Sequence, residues 1–318
     1  MGEVNAIEAA LYESVRQWVL AHLPFNKSDV ALAAYVNGLD AHKLLVTYHN
    51  WQSRLISEAP RTVHASAALS ANSLAAQHAL ALNAISADIS KGNSLTKYLS
   101  RGVTISAQLP RNQAKLQKRR DLDLMLNDWG IHHLHLSKTV EADGFVTRSG
   151  PLLFAYFREN DAYLLDIAAH GNWTSEQLVK VLIAEFPNSG AFVEMRGVAD
   201  LGKKPTEDER RRLRNVAINV PLVINGTAYM STAGMVTAGT SIAATREADH
   251  VLIAISEFAR IWHETPEKVR AAVKESAHSL PDTPEFVFDV IEDAGPIVVD
   301  KKSNSVFRLL PDDATKAQ

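Results

Sequence analysis

Residues 121–137 read DLDLMLNDWGIHHLHLS, and this stretch decides how the chain is divided. Up to Trp129 the pattern is helical, and after Gly130 apolar and polar residues alternate. Gly130 therefore marks a helix end, because glycine accepts the left-handed conformation in which helices stop. The strand expected behind it, Ile131 to Lys138, carries histidines at 132, 133 and 135. Imidazoles are costly to bury and titrate near neutral pH, so such a cluster marks a candidate site.

Two more alternating segments follow, Leu152 to Arg158 and Ala162 to His170, joined by the polar Glu159-Asn160. With the first strand they predict an antiparallel meander. A basic helix from about Asn112 to Trp129, carrying Lys115, Lys118, Arg119 and Arg120, precedes the meander, and a helix from Thr174 as cap to Phe186 follows it. Helix, meander and helix make a central α+β unit over residues 111–190.

Residues 1–110 read as a helical region, with apolar positions at Ala9, Leu11, Val15, Val19 and Leu20. Further helices are expected over 41–57 behind the cap Asp40, and over 73–90 ending at Gly92, with Arg61 to Ser66 short and extended. Residues 191–318 read as a C-terminal α+β domain. Its signals are a strand at 191–198, the turn Asn225-Gly226, helices over 243–263 and 266–276, strands near 285–291, 296–300 and 305–310, and a frayed tail. The charged stretch GKKPTEDERRRLR, residues 202–214, reads as a solvated connection or a short helix. The fold class is thus α+β.

Composition narrows the chemistry. Across 318 residues, 46% are hydrophobic and 22% charged, as in globular proteins, and no apolar run is long enough to span a bilayer. The opening MGEVNAIEAALYESVRQW has acids where a secretory signal needs basic residues, which predicts a cytoplasmic protein. The absence of cysteine excludes disulfides, thiolate catalysis and cysteine-ligated zinc. A formal charge of -3 gives no global attraction to nucleic acid, leaving only local basic patches.

Alternation sends His133 and His135 to one strand face with Ile131 and Ser137, and His132 to the other with Leu134 and Leu136. Asp166 and His170 share a face of the third strand, and Tyr156 and Arg158 a face of the second. A suitable register gathers these side chains in one cleft; a slip of one residue disperses them. Two chemistries compete for that cleft. His133 and His135 with His170 or Asp166 form a ligand set for a divalent metal such as zinc. Without a cofactor, His133, His135 and His170 suit proton transfer in RNA cleavage, with Arg148, Arg158 and Lys138 on the phosphate and Tyr156 for positioning. The bland alternatives carry weight. His132, between leucines, reads as a core histidine, the Lys115 to Arg120 cluster as a solvated helix face, and Thr237 to Ser241 as a small-residue turn lacking the lysine of a phosphate-binding loop.

The segments RRDLDLMLNDWGIHHLHLS and PLLFAYFRENDAYLLDIAAHGNW resemble a motif set of uncharacterised bacterial proteins, some in mobile-element or phage-defence gene neighbourhoods. The order of elements over 112–170 is also similar to the core of RelE/ParE-type toxins. That resemblance implies a ribonuclease with catalysis on Arg148 or Arg158, Lys138 and His170. The chain departs from it in the large segments on both sides and in His170-Gly-Asn-Trp at the end of the third strand. The function expected is RNA cleavage by a toxin or defence effector. A non-catalytic interaction protein with RNA or a protein as partner, and a histidine-ligated metal hydrolase, stand as alternatives; no membrane is involved.

Overall fold

The computed structural model describes residues 2–105, 107, 123–169, 175–198, 202, 204–275, 279–292 and 294–310. Helices α1 (Gly2–His22), α2 (Val30–Asn37) and α3 (Ala41–Gln52) lead to strand β1 (Thr62–Ala65). The short helices α4 (Ala67–Ala71) and α5 (Ser73–Gln77) precede α6 (Ala79–Lys91), α7 (Gly102–Ile105) and α8 (Leu124–Trp129). The meander is β2 (Ile131–His135), β3 (Pro151–Phe157) and β4 (Asp161–Ala169). Next come α9 (Glu176–Glu185), β5 (Phe192–Glu194), α10 (Glu207–Asn215), β6 (Leu222–Ile224) and β7 (Thr227–Ser231). The described part closes with α11 (Ile242–Glu264), α12 (Pro266–Glu275), β8 (Phe286–Ile291), β9 (Gly295–Asp300) and β10 (Val306–Arg308). The fold is α+β, and no described helix is long and apolar enough to cross a membrane.

The chain forms two compact units, residues 50–243 and residues 1–49 with 244–318, so divisions at 110/111 and 190/191 do not separate them. The reason lies in non-local packing that local periodicity does not report. In the unit built from both ends of the chain, Ser14 of α1 accepts the Phe288 amide of β8 at 2.8 Å. Trp18 of α1 donates to Asp289 at 2.9 Å, and Tyr12 meets Ser256 of α11. The faces of α1 that carry Leu11, Val15 and Val19 are fully buried, as the apolar spacing requires.

The central unit is organised by a four-stranded sheet in the order β1-β4-β3-β2. Strands β2, β3 and β4 pair antiparallel as expected, and β1 adds to β4 in parallel. One sheet face carries Leu134, Leu153, Ala155 and Leu164 into a core with Ile85, Ile89 and Tyr98. The other carries Ile131, Leu152, Phe154 and Leu165 against Trp129 and the α9 residues Leu178, Val179 and Leu182. A bulge between Phe154 and Ala155 leaves Leu165 as an extra residue of β4, between Leu164, paired with Ala155, and Asp166, paired with Phe154. A smaller sheet, β5-β7-β6, holds the Asn225-Gly226 hairpin, whose residues have φ of 51° and 83°.

Several local boundaries shift. The helix expected over 73–90 is two, α5 and α6, parted at His78, whose φ of -105° and ψ of 17° break the helical run. Gly92 ends α6 in the left-handed region at φ 73°. Of the helix expected over 112–129, residues through 122 lie outside the described residues. Asp123 caps α8 by accepting the Leu126 amide, so α8 starts at Leu124. Thr174, Trp173 and the Lys115 to Arg120 cluster also lie outside the described residues. The cap of α9 is Ser175.

Candidate functional site

His133 and His135 face the same side of the sheet, because they stand opposite Phe154 and Leu152 on β3. Tyr156, opposite Ile131, belongs to that face too. The face is largely core: Phe154 and Leu152 are fully buried, and His135 and Tyr156 nearly so. His135 is therefore set among apolar groups rather than in an open cleft. His170 lies outside the described residues.

The remaining residues of the expected cleft are dispersed. Arg148 precedes β3 and Arg158 follows it, so the seven strand residues between them span about 24 Å and the two cannot hold one phosphate. Both are exposed, as is Lys138. The Arg158 guanidinium lies against Gly190, and the Arg158 carbonyl accepts Arg61 Nε at 2.7 Å. Asp166 is separated from β2 by the whole of β3, and its carboxylate accepts Asn72 Nδ2 at 2.6 Å, tying the α4–α5 junction to the sheet. Among the described residues no group of three His, Asp or Glu side chains is placed to hold a metal ion.

A different group does come together, at the edge where α8 runs beside β2. The N-capping residue Asp123 brings Oδ2 to 3.4 Å from His133 Nδ1, and both side chains are largely buried. Arg54, Ser100, Val103 and His132 line the same small cavity of about 20 Å³. Chain geometry explains the meeting of Asp123 and His133. Helix α8 rises about 9 Å over its six residues, Gly130 turns the chain at φ 71°, and Ile131 to His133 return about 10 Å. Residues 123 and 133 thus end abreast. The signal lies in the sequence, as a capping Asp seven residues before a glycine and a histidine three after it.

The two histidines at this edge differ electrically. Burial pushes the His132 imidazole down to about 4, Asp123 opposing and His133, Arg61 and Arg54 adding to the fall. His132 is therefore neutral at pH 7, packed edge-on against Phe157 with ring centroids 5.5 Å apart. His133 Nδ1 stands 3.4 Å from the Asp123 carboxylate.

Within residues 202–214, expected as a solvated connection or a short helix, α10 forms and supplies two buried arginines. Thr206 and Glu209 form a capping box, and Arg210 and Arg214, four residues apart, occupy the inner face of the helix. Arg214 Nε donates to Asp128 of α8 at 2.7 Å, and Arg210 Nη2 donates to Glu176 of α9. Burial pushes the Asp128 carboxyl up, with Arg214 and Arg210 pulling it down. The capping box and the i, i+4 arginine spacing were the signals available.

Compared with known protein families, characterised proteins and solved structures, the chain matches none.

Proposed function

We propose that the chain cleaves RNA by proton transfer at the edge formed by Asp123, His133 and Arg54, in the toxin or defence setting that the sequence resemblance implies. The observation that carries this reading is the 3.4 Å approach of Asp123 to His133 beside an arginine. With Nδ1 turned to the carboxylate, Nε2 is the ring atom left to take the proton from a ribose 2'-hydroxyl. The 2'-oxygen then attacks phosphorus, the bond to the 5'-oxygen breaks, and the imidazolium returns the proton to that oxygen. Arg54 offers charge to the phosphorane. His132, neutral at pH 7, does not serve as the acid.

The test is incubation of end-labelled RNA with the wild type, with His133→Ala and with Asp123→Asn, each in chelator and with added divalent metal. Products ending in 2',3'-cyclic phosphate, formed by the wild type and lost in His133→Ala, are expected. Intact RNA under all conditions, or undiminished cleavage by His133→Ala, overturns the reading.

A second reading, a non-catalytic interaction protein whose meander is scaffold, is favoured by two facts. His132 and His135 are buried core residues, and the cavity beside His133 has room for about one water.

A further inference from the structure

Helix α10 is fixed to the central unit through charged groups. Its sequence, EDERRRLRN, holds one apolar residue, Leu213, which is half-buried, and its only buried side chains are Arg210 and Arg214. The residues behind it add little, since Val216 is 61% exposed and Ile218 47%. Helix α9, of similar length, buries Leu178, Val179, Val181 and Leu182. Apolar burial is the dominant favourable term in folding, and α10 has almost no share of it.

The two arginines do not make up for that lack. Arg214 Nε donates to Asp128, and Arg210 Nη2 donates to Glu176. At Asp128 burial pushes the carboxyl up although both guanidiniums pull it down, so the attraction does not offset the desolvation of the carboxylate. At Arg210, Nε and Nη1 are shut off from solvent with no hydrogen-bond partner among the described residues. That penalty exists only while the helix is docked, because water satisfies both donors once it leaves. A free helix of nine residues is too short to persist in water, even with its capping box, so release melts it.

We propose that α10 is a strap that leaves α8 and α9 and melts as one unit while the four-stranded sheet and α9 stay folded. Opening lifts Arg214 from the Trp129 ring, on which it lies at 4.0 Å, and gives the carboxylates of Asp128 and Glu176 to solvent. The strap is independent of the histidine chemistry, so it stands or falls separately from the RNA-cleaving reading.

Native-state hydrogen exchange of the full chain, followed by mass spectrometry over a series of sub-denaturing urea concentrations, tests this. After correction for intrinsic rates, the amides of Arg210 to Asn215 should exchange at least about a hundredfold faster than those of β3, β4 and α9. Urea should accelerate them little, because a local opening exposes little surface. Arg210→Met removes the donors that lack acceptors and leaves Glu176, 29% exposed, to water, so it should slow α10 exchange by about tenfold. Three results overturn the proposal: exchange of α10 together with the sheet, exchange of α9 together with α10, or α10 exchange that is equal or faster in Arg210→Met. The wild-type measurement decides the opening by itself, whatever the variant does to folding.

Discussion

Arg214 donates through Nε to Asp128 at 2.7 Å, joining α10 to the helix that precedes the histidine strand. Both side chains are nearly inaccessible, and the guanidinium carbon lies 4.0 Å from the centre of the Trp129 ring. An ion pair so enclosed is costly to break from one side, because the surviving charge keeps its desolvation penalty. Asp128→Ala should therefore lose about 3–5 kcal/mol in urea unfolding, and Asp128→Leu combined with Arg214→Met should recover most of it. Equal losses in the single and double variants would show that the pair itself stabilises the unit.

Trp129 completes the same junction. Its ring is buried against Ile131, Phe154 and Leu178 as well as beneath Arg214. Removing it leaves a cavity that rigid strands cannot close, so Trp129→Ala should cost about 3–5 kcal/mol, measured by chemical denaturation. A loss below about 1 kcal/mol would contradict the packing described.

How far this architecture was legible follows from the range of each signal. Alternation after Gly130, the polar connection at Glu159-Asn160 and the pair Asn225-Gly226 are local, and each produced the expected element. Register and burial are not local. Whether His135 meets an open cleft or Leu152 depends on the partner strand, and β3 is apolar throughout. The break at His78 sits in an alanine-rich run that nothing in the helical period interrupts. The buried arginines were hidden by their own charge, since Arg210 and Arg214 go inside only because Glu176 and Asp128 wait there.

His132 predicts a pH dependence of stability. Its imidazole titrates at about 4 in the folded chain, against 6.5 ordinarily, because burial disfavours the charged form. Between those values the unfolded state binds the proton and the folded state does not. Stability from this group is therefore complete above about 6.5 and is lost progressively as pH falls to about 4, by on the order of 3 kcal/mol. The difference between wild type and His132→Gln isolates it, since other acid-sensitive groups cancel. Parallel stability profiles for the two proteins from pH 7 to pH 4 would rule out a neutral buried imidazole.

The last prediction separates two roles of Asp123, which caps α8 through the Leu126 amide and faces His133. Asparagine caps a helix about as well as aspartate, so Asp123→Asn should keep unfolding stability within about 0.5 kcal/mol. It removes the carboxylate charge that stands 3.4 Å from His133 Nδ1. If His133 is the base, cleavage of RNA should therefore fall by about tenfold or more. Asp123→Ala should lose the cap as well, costing about 1 kcal/mol beyond the asparagine variant. A fall in stability in both variants, with the rate of the folded fraction unchanged, would assign Asp123 to capping alone.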